Sequence, residues 1–284
     1  MPELPEVESI KKQLSNKIVG RQVAKIEILE EKQFCGDKNK IIGAVVKKVW
    51  RRAKLLGINL SNGLILLIHL KLTGEFIFTE KKSKIIEFDH NLPFGDNKLP
   101  SKHTRIIITF DDGARLFFND LRKFGWMRII KSSNLKAQSS KFGPEPLEKE
   151  FTVEYLKKVF AKTRRAIKKV LLDQKIIAGI GNIYACEILF KARVNPRRPA
   201  NSLEIKEIKN IHKAVIFILK EAIKYHGTSA ADEAYIQPDT SPGRYKEKLQ
   251  VYDREGEKCF RCSGIIKRFK QASRSTYFCP QCQG

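Results

Sequence analysis

The sequence of 284 residues contains 55 Lys and Arg against 31 Asp and Glu, a formal net charge of +24. This length exceeds one typical domain, and so large a positive charge favours nucleic acid as a partner over an acidic membrane face or a merely solvated basic surface. No run approaches the roughly 18 apolar residues of a membrane helix, and the amino end lacks a secretory signal pattern, so we expect a soluble, cytoplasmic protein.

The chain begins MPELPEVESI, with three carboxylates among its first eight residues. Apolar residues then recur at helical spacing, which predicts a helix that starts after Pro5 and ends near Gly20. Glu3, Glu6 and Glu8 would complement the positive end of the helix dipole. That interpretation accounts for the carboxylates and leaves the prolines unexplained.

Residues 22–131 consist of short runs rich in β-branched and aromatic residues, separated by turn formers such as Asp112-Gly113. The runs are VVKKVW, LLGINL, LILLIHL, EFIFT, RIIITF, ARLFF and WMRII. This pattern predicts a β-sandwich. The Ser-, Lys- and Pro-rich residues 131–146 lack periodicity and predict a linker, and residues 152–226 show helical periodicity.

Four of the six cysteines form two CxxC pairs with sixteen residues between them. This spacing predicts one structural zinc ion bound by Cys259, Cys262, Cys279 and Cys282, in preference to two disulfides or a redox pair. The segment between the pairs is basic and has no acidic residue, which suits phosphate contact. We expect Cys35 and Cys186 to be buried packing residues.

Two glycines precede Asn182 in the stretch IAGIGNIYACEILF, so Asn182 is expected to begin a helix. Backbone N–H groups at such a start bind phosphate well, although a tight turn alone would also explain the glycines. Arg164, Arg165 and Lys168 lie just upstream and favour the phosphate interpretation. We therefore predict that Arg164, Lys168 and Asn182 bind DNA.

Four segments, PELPEVE, NDLRKFG, LLDQKIIAGIGNIYACE and the final CPQCQ, resemble in order the bacterial formamidopyrimidine-DNA glycosylase family. The resemblance implies an α+β multidomain fold. It consists of an N-terminal catalytic β-sandwich with flanking helices (1–131), a linker (132–148), a helix-two-turns-helix DNA-binding domain with a lesion-capping loop (149–248) and a C-terminal zinc-finger β-hairpin (249–284). It also implies a monomeric, nucleoid-associated enzyme acting on double-stranded DNA that contains oxidised bases or abasic sites.

In this family the chemistry begins when the initiator Met1 is removed and the secondary amine of Pro2 is exposed. An α-amine has a pKa of about 7.7–8.0, so a useful fraction is nucleophilic at neutral pH. The resemblance makes Pro2 the nucleophile that forms a Schiff base with the deoxyribose. It makes Glu3 the general acid and Glu6 a support for the same network. The alternative for all three is an ordinary helix start.

Three further positions match functional residues of the family. Lys54, in RRAKLL, corresponds to a lysine that contacts the lesion and assists elimination, and Arg274 corresponds to a zinc-hairpin arginine that holds the flanking phosphates. His103, in SKHTR, corresponds to a phosphate ligand. A surface lysine and a structural histidine remain the alternatives for Lys54 and His103.

The resemblance implies that Leu72, Arg122 and Phe124 fill the space left by a flipped nucleotide, with Arg122 hydrogen-bonded to the orphaned cytosine. Core packing is the alternative for Phe124. The chain departs from the family at Leu72, where methionine is usual, at Leu121, where proline is common, and in residues 227–245, which only partly resemble the capping loop.

Two rival functions remain on sequence grounds. The first is an endonuclease VIII-like enzyme for pyrimidine lesions, although Leu4 and Val7 resemble the formamidopyrimidine enzyme more. The second is a catalytically silent zinc-finger protein that binds damaged DNA, against which Pro2, Glu3 and Lys54 argue. The favoured function is a bifunctional glycosylase and AP lyase for 8-oxoguanine and formamidopyrimidines.

Overall fold

A computed structural model describes residues 1–80, 83, 85–135, 140, 142–229 and 235–284. The chain forms two compact units, the first made of Met1–Ser139 with Tyr225–Lys246 and the second of Ser140–Lys224 with Glu247–Gly284. The division into four parts at 131, 148 and 248 stays a prediction. Parts of the predicted linker and capping loop, residues 136–139, 141 and 230–234, lie outside the described residues.

The first unit is a β-sandwich with a helix packed beside it, as the sequence predicted. Helix α1 (Leu4–Ile18) contributes its apolar face to a core that also receives side chains from two sheets. The strands of the two sheets are β1 (Val23–Ile28), β2 (Phe34–Cys35), β3 (Val46–Arg52), β4 (Leu55–Leu60), β5 (Leu64–His69), β6 (Gly74–Thr79), β9 (Thr104–Phe110), β10 (Arg115–Asp120) and β11 (Trp126–Lys131). One sheet has the order β1-β9-β10-β6 and the other β2-β11-β5-β4-β3.

The outer face of the four-stranded sheet has a smaller apolar cluster of its own. Alternate residues of β6, β9 and β10 point to this side because side chains alternate along a strand. Ile77, Ile107 and Phe117 pack there against Leu99 and Ile236. A short hairpin of β7 (Ile86–Glu87) and β8 (Lys98–Leu99) covers the cluster. The segment around Ile236 is thereby tied to the first unit.

The second unit combines helices with a hairpin. Its helices are α2 (Val153–Phe160), α3 (Ile167–Leu171), α4 (Asn182–Ala192) and α5 (Ile205–Lys224), and the hairpin strands are β12 (Lys267–Gln271) and β13 (Arg274–Phe278). Glu187, in the middle of α4, is completely buried and accepts the backbone N–H groups of Gln250, Val251 and Tyr252 at 2.9 Å. These bonds attach residues 250–252, which precede the hairpin in the chain, to α4.

Two sequence predictions differ from the structure in detail. Helix α1 begins at Leu4 and contains Pro5 in its first turn, where a missing N–H costs no hydrogen bond. Cys186 is buried as expected, but Cys35 is exposed, so its predicted burial is wrong. Cys35 lies on the short edge strand β2, where nothing in the described residues covers it. No helix of the described residues is long and apolar enough to cross a membrane.

Candidate functional site

Glu3 and Glu6 fix the backbone at the start of α1. Glu3 is the N-cap residue, and together with Glu6 it forms a capping box in which Glu6 Oε2 accepts the N–H of Glu3 at 2.8 Å. Both residues are buried, since Glu3 is 1% exposed and Glu6 is 2% exposed. Since a capping box satisfies two otherwise orphaned N–H groups, the chain leaving Pro2 has a defined direction.

The second carboxylate oxygen of Glu6 reaches the segment after α5. Glu6 Oε1 accepts the N–H of Thr228 at 2.8 Å, and a Cβ atom on Gly227 would lie 2.7 Å from the same oxygen. Gly227 also has φ +83°, which favours glycine. Tyr235 donates its hydroxyl to the Glu6 carbonyl at 3.4 Å, and burial, followed by the charge of Glu6, raises its pKa. Glu6 therefore joins the first turn of α1 to Thr228 and Tyr235, two residues of the predicted capping loop that precede and follow the undescribed residues 230–234.

Lys54 lies in the turn between β3 and β4. Its neighbour Ala53 has φ +54°, and Arg51 donates to the Ala53 carbonyl at 3.1 Å. Arg51 also donates to Glu8 Oε2 at 3.0 Å, so this turn is tied to α1 by an ion pair with both side chains largely buried. Lys54 is 7% exposed, far less than an ordinary strand lysine.

His69 lies near Lys54 because its strand partner in the five-stranded sheet is Leu55. The backbone N–H of Lys71 donates to His69 Nδ1 at 2.9 Å, so the neutral ring has its proton on Nε2. Burial, and then the charges of Lys71 and Lys54, lower the pKa of His69 to about 3. The ring is consequently a neutral hydrogen-bond donor beside a lysine at neutral pH.

Asp120 fixes the two turns that contain Leu72 and Arg122 by accepting hydrogen bonds from both turns. Asp120 is fully buried, and its carboxylate accepts the Thr73 hydroxyl, the Arg122 N–H at 3.2 Å and the Gly125 N–H at 2.7 Å. Thr73 Oγ1 in turn accepts the Arg122 N–H at 3.0 Å. The two turns that contain Leu72 and Arg122 thus form one rigid assembly.

Phe124 projects from this assembly into solvent. It is 52% exposed, and the Arg122 guanidinium lies 5.0 Å from its ring centroid. Lys123, with φ +57°, pairs with Glu30 and fixes the other side of the turn. An exposed phenylalanine on a firmly held turn does not pack in the core, which removes that alternative for Phe124.

His103 is held in place by residues that precede it. Its Nδ1 lies 2.7 Å from Asp96 Oδ2, and its ring makes an edge contact with Phe94 at 5.4 Å between centroids. Burial alone would raise the pKa of Asp96, but hydrogen bonds from His103 and Ser101 outweigh it and lower that pKa. With Nδ1 paired to Asp96, His103 has Nε2 for any external ligand.

In the second unit, Lys168 connects α4 to the hairpin. Its Nζ donates to Asn182 Oδ1 at 2.7 Å, to the Ser275 carbonyl at 3.0 Å and to Thr276 Oγ1 at 2.8 Å. Asn182 Nδ2 also donates to the Ser275 carbonyl at 3.0 Å. Lys168 is only 1% exposed, so the structure replaces its predicted DNA contact with an internal, supporting role. Its three ammonium protons are fully used by these acceptors.

Arg274, Asn182 and Arg164 keep surface for an external ligand. Asn182 begins α4 as predicted, with Gly181 as its N-cap residue. Arg274 is exposed and follows a two-residue hairpin turn in which Ala272 and Ser273 have φ +50° and +61°. Both values belong to a type I′ turn, which matches the strand twist. Arg164 is exposed before α3.

The four predicted zinc ligands meet at one point. Their sulfur atoms all lie within 4.8 Å of one another, with Cys259 Sγ 3.9 Å from Cys282 Sγ and Cys262 Sγ 3.4 Å from Cys279 Sγ. A tetrahedral zinc with Zn–S bonds of about 2.3 Å requires sulfurs about 3.8 Å apart. The residues therefore fit one structural zinc ion, with no open coordination position.

Several supporting residues were missed by the sequence analysis. His69 stood out as one polar residue in the apolar run LILLIHL, a signal that was available. Asp120 and Thr73 had no comparable signal, because their importance depends on hydrogen bonds between separate turns. The structure brings Glu3 together with Glu6, Thr73, the neighbour of Leu72, with Arg122, and Lys168 with Asn182, each within one unit.

Comparisons with known proteins agree over the whole chain. Models of the formamidopyrimidine-DNA glycosylase N-terminal domain, its H2TH domain and the zinc finger found in FPG and IleRS match residues 1–127, 142–234 and 256–284. The formamidopyrimidine-DNA glycosylase of Carboxydothermus hydrogenoformans is 40% identical over all of both chains.

Solved structures of formamidopyrimidine-DNA glycosylases also match this chain along nearly its whole length. The MutM (Fpg) protein of Thermus thermophilus superposes with a TM-score of 0.87 at 33% identity, covering 100% of this chain and 99% of that one. Lactococcus lactis Fpg bound to DNA with an abasic site gives a TM-score of 0.86 at 31% identity, covering 99% of each chain. Complexes of similar proteins contain Fapy-dG or carbocyclic 8-oxo-G DNA. The chain belongs to the formamidopyrimidine-DNA glycosylase family.

Proposed function

We propose that the protein is a bifunctional DNA glycosylase and AP lyase that removes oxidised purines, 8-oxoguanine opposite cytosine and formamidopyrimidines, from duplex DNA. It acts as a monomer in the bacterial cytoplasm, in association with the nucleoid. Its family membership and the damaged or abasic DNA bound by its structural relatives support this activity. The formal charge of +24 supports a polyanionic substrate.

The observation on which the proposal rests is the buried carboxyl of Glu3 directly beside Pro2. With Met1 removed, the Pro2 nitrogen attacks C1′ of the deoxyribose, the glycosidic bond breaks, and the damaged base leaves with a proton. Glu3 protonates the opening sugar oxygen, and an iminium forms between Pro2 and C1′. Loss of a proton from C2′ breaks the C3′–O bond, and a second elimination breaks the C5′–O bond.

The supporting residues keep this nucleophile in place. The capping box fixes the backbone between Pro2 and Glu6, and Glu6 joins it to Thr228. We assign to Lys54 a contact with the lesion and the adjoining phosphate and assistance in elimination. His69, a neutral donor beside Lys54, supplies a second hydrogen bond to that phosphate.

The exposed turn supports the base-flipping part of the proposal. An enzyme that reaches C1′ must extrude the nucleotide, which costs a few kcal/mol, and the empty space must be filled. Phe124 inserts into the base stack, Arg122 hydrogen-bonds the orphaned cytosine, and Leu72 completes the wedge. Because Asp120 holds these turns together, the wedge is preorganised before DNA arrives.

Phosphate contacts complete the assignment. His103 offers Nε2 to the backbone, and Arg164, Asn182 and Arg274 offer donors from the second unit. Arg274 also binds the phosphates that flank the lesion during strand cleavage. The zinc ion has no part in the chemistry and holds the hairpin that presents Arg274.

Borohydride trapping tests the proposal. Met1-processed protein is incubated with duplex DNA containing one 8-oxoguanine opposite cytosine, and separately with a dihydrothymine duplex, because borohydride makes a Schiff base permanent. A covalent product on the first duplex is expected, and Pro2→Gly should lose the efficient product while still binding the lesion. A product only on the second would assign an endonuclease VIII-like specificity, and no product on either would leave a non-catalytic damage binder.

A further inference from the structure

A groove of about 620 Å³ runs between the end of α4 and one face of α5. Such a volume lies within the range of ligand-binding clefts. The polar and aromatic side chains that line it, here called the basic groove, are Lys191, Arg193, Lys206, Asn210, Lys213 and Phe217. No carboxylate lines it, so its electrostatic character is entirely positive.

The four cations of the basic groove have no acidic partner among the described residues, whereas nearby Arg198 pairs with Glu207. On α5 the positions of Lys206 and Lys213 fall on the same face as Phe217, since they are separated by helical turns. Four unpaired like charges around one cleft repel each other and raise the local concentration of anions. The groove therefore favours an anionic occupant.

Phe217 gives the groove an apolar element. It is 48% exposed, and the Lys191 ammonium lies 3.5 Å from its ring centroid, close enough for a cation–π contact. This contact holds the ring at the groove wall and leaves its remaining surface open. Phe and Arg are enriched at protein interfaces, and the basic groove contains Phe217 and Arg193.

The position of the groove separates it from the proposed phosphate contacts of the second unit. Asn182 begins α4 and Lys191 is at its other end, nine residues and about 14 Å along the helix axis. The apolar groups of duplex DNA, the thymine methyl and the base faces, lie inside the grooves and the base stack, so they are not on the outer surface that carries the phosphates. A peptide can provide both an apolar side chain and carboxylates within one short segment.

We propose that the basic groove binds an acidic segment of a partner protein, with its carboxylates at Lys191, Arg193, Lys206 and Lys213 and one apolar side chain against Phe217. The charge complementarity brings the segment in, and the contact with Phe217 selects a segment that has an apolar residue among its carboxylates. The site is independent of catalysis and gives the enzyme a means of recruitment by other proteins.

Fluorescence anisotropy tests this proposal with the zinc-loaded, full-length protein. The probe is a labelled peptide of Asp and Glu residues with one central Phe, compared with the same peptide containing Ala in place of Phe. Lys213→Glu and Phe217→Ala should each weaken probe binding about tenfold, which corresponds to about 1.4 kcal/mol. Lys220→Glu, an exposed change on the same helix outside the groove, is the charge-matched control and should change binding less than about twofold.

Two further measurements keep the outcome unambiguous. Borohydride trapping on lesion DNA should be the same for Lys213→Glu and Lys220→Glu, because neither residue belongs to the catalytic machinery. Equal probe affinity of these two variants, or equal affinity of the Phe and Ala peptides, would overturn the proposal. A loss of duplex DNA affinity in Lys213→Glu as large as its loss of probe affinity would assign the groove to the DNA surface instead. Because the probe needs no chemistry, failure here is distinct from failure of the glycosylase proposal.

Discussion

The carboxylate of Glu6 bridges two backbone N–H groups that lie 225 residues apart in the chain, that of Glu3 and that of Thr228, each at 2.8 Å. Both bonds are buried, so neither N–H has water as a substitute partner. The first turn of α1 and the segment that begins the predicted capping loop consequently depend on one side chain.

Glu6→Gln should lower stability and lesion excision together. The amide has one oxygen acceptor where the carboxylate has two, so one buried N–H faces an NH₂ group, at a cost of about 1–3 kcal/mol. Thermal unfolding measures the loss, and excision of 8-oxoguanine should fall more than cleavage of a preformed abasic site. Glu31→Gln, an exposed change in the same unit, is the control. Wild-type stability and excision in Glu6→Gln would show that the bridge is dispensable.

Lys168→Met should destabilise the second unit by about 2–4 kcal/mol, because three buried hydrogen bonds are lost and, of their acceptors, the Ser275 carbonyl keeps a bond from Asn182 Nδ2. Lys169→Met is the matched control, since Lys169 is exposed and adjacent. Chemical denaturation distinguishes the two variants. If Lys168→Met instead kept its stability and lost only DNA affinity, Lys168 would be a direct phosphate ligand after all.

Arg164→Gln should behave in the opposite way. Arg164 is exposed, so its removal should leave the unfolding temperature unchanged. If it contacts a phosphate, the slope of log affinity for duplex DNA against log salt should fall in magnitude by about one. Anisotropy titrations at several salt concentrations measure this slope. An unchanged slope would remove Arg164 from the DNA interface.

Glu75→Gln should flatten the pH dependence of stability. Burial raises the pKa of Glu75 from 4.5 to about 8. The negative charges of Asp120 and Asp96 also raise this pKa, and a hydrogen bond from Asn119 opposes the shift. Between pH 4.5 and about 8 the folded state keeps a proton that the unfolded state has lost. The free energy of unfolding therefore falls by about 1.4 kcal/mol per pH unit in this range and levels off above it.

Denaturation at about pH 5 and about pH 8 tests this prediction, with the difference between the two free energies of unfolding as the readout. Gln has no proton to lose and fits the same site, so Glu75→Gln should gain stability relative to the parent at the higher pH. Glu31→Gln serves again as the exposed control. Equal pH dependence in the parent and Glu75→Gln would mean that Glu75 is ionised when folded.

Cys279→Ser should release zinc and weaken binding to lesion and undamaged DNA alike, because the hairpin that contains Arg274 loses its metal support. Metal analysis and anisotropy measure the two effects. Cys186→Ser is the control, since Cys186 is buried outside the zinc cluster. Retained DNA affinity after zinc loss would exclude the hairpin from the DNA-binding surface.

The sequence predicted those features that depend on neighbouring residues. Runs such as LILLIHL and RIIITF coincide with β5 and β9, and the CxxC pairs coincide with the sulfur cluster. Sheet order was not predictable in this way, since β1 pairs with β9 and β2 with β11 across most of the first unit. Pairings of this kind are decided by packing of distant segments.

The same limit explains the residue that was assigned a different role. Lys168 follows a basic run, and local charge favoured a phosphate contact. Its burial is decided by Ser275 and Thr276, 107 and 108 residues later, which no local pattern reveals. Phe124 shows the converse case, because its exposure follows from a turn held by Asp120 and not from its own apolar character.

The discontinuity of the first unit has a consequence for biosynthesis. Its last portion, Tyr225–Lys246, is translated only after Ser140–Lys224 has been made. A ribosome therefore releases the sandwich strands long before the chain can supply the partner of Glu6. The nascent protein must keep an unfinished α1 terminus in the meantime, and chains that terminate before residue 228 should lack both the Thr228 partner of Glu6 and the Ile236 side chain of the outer apolar cluster.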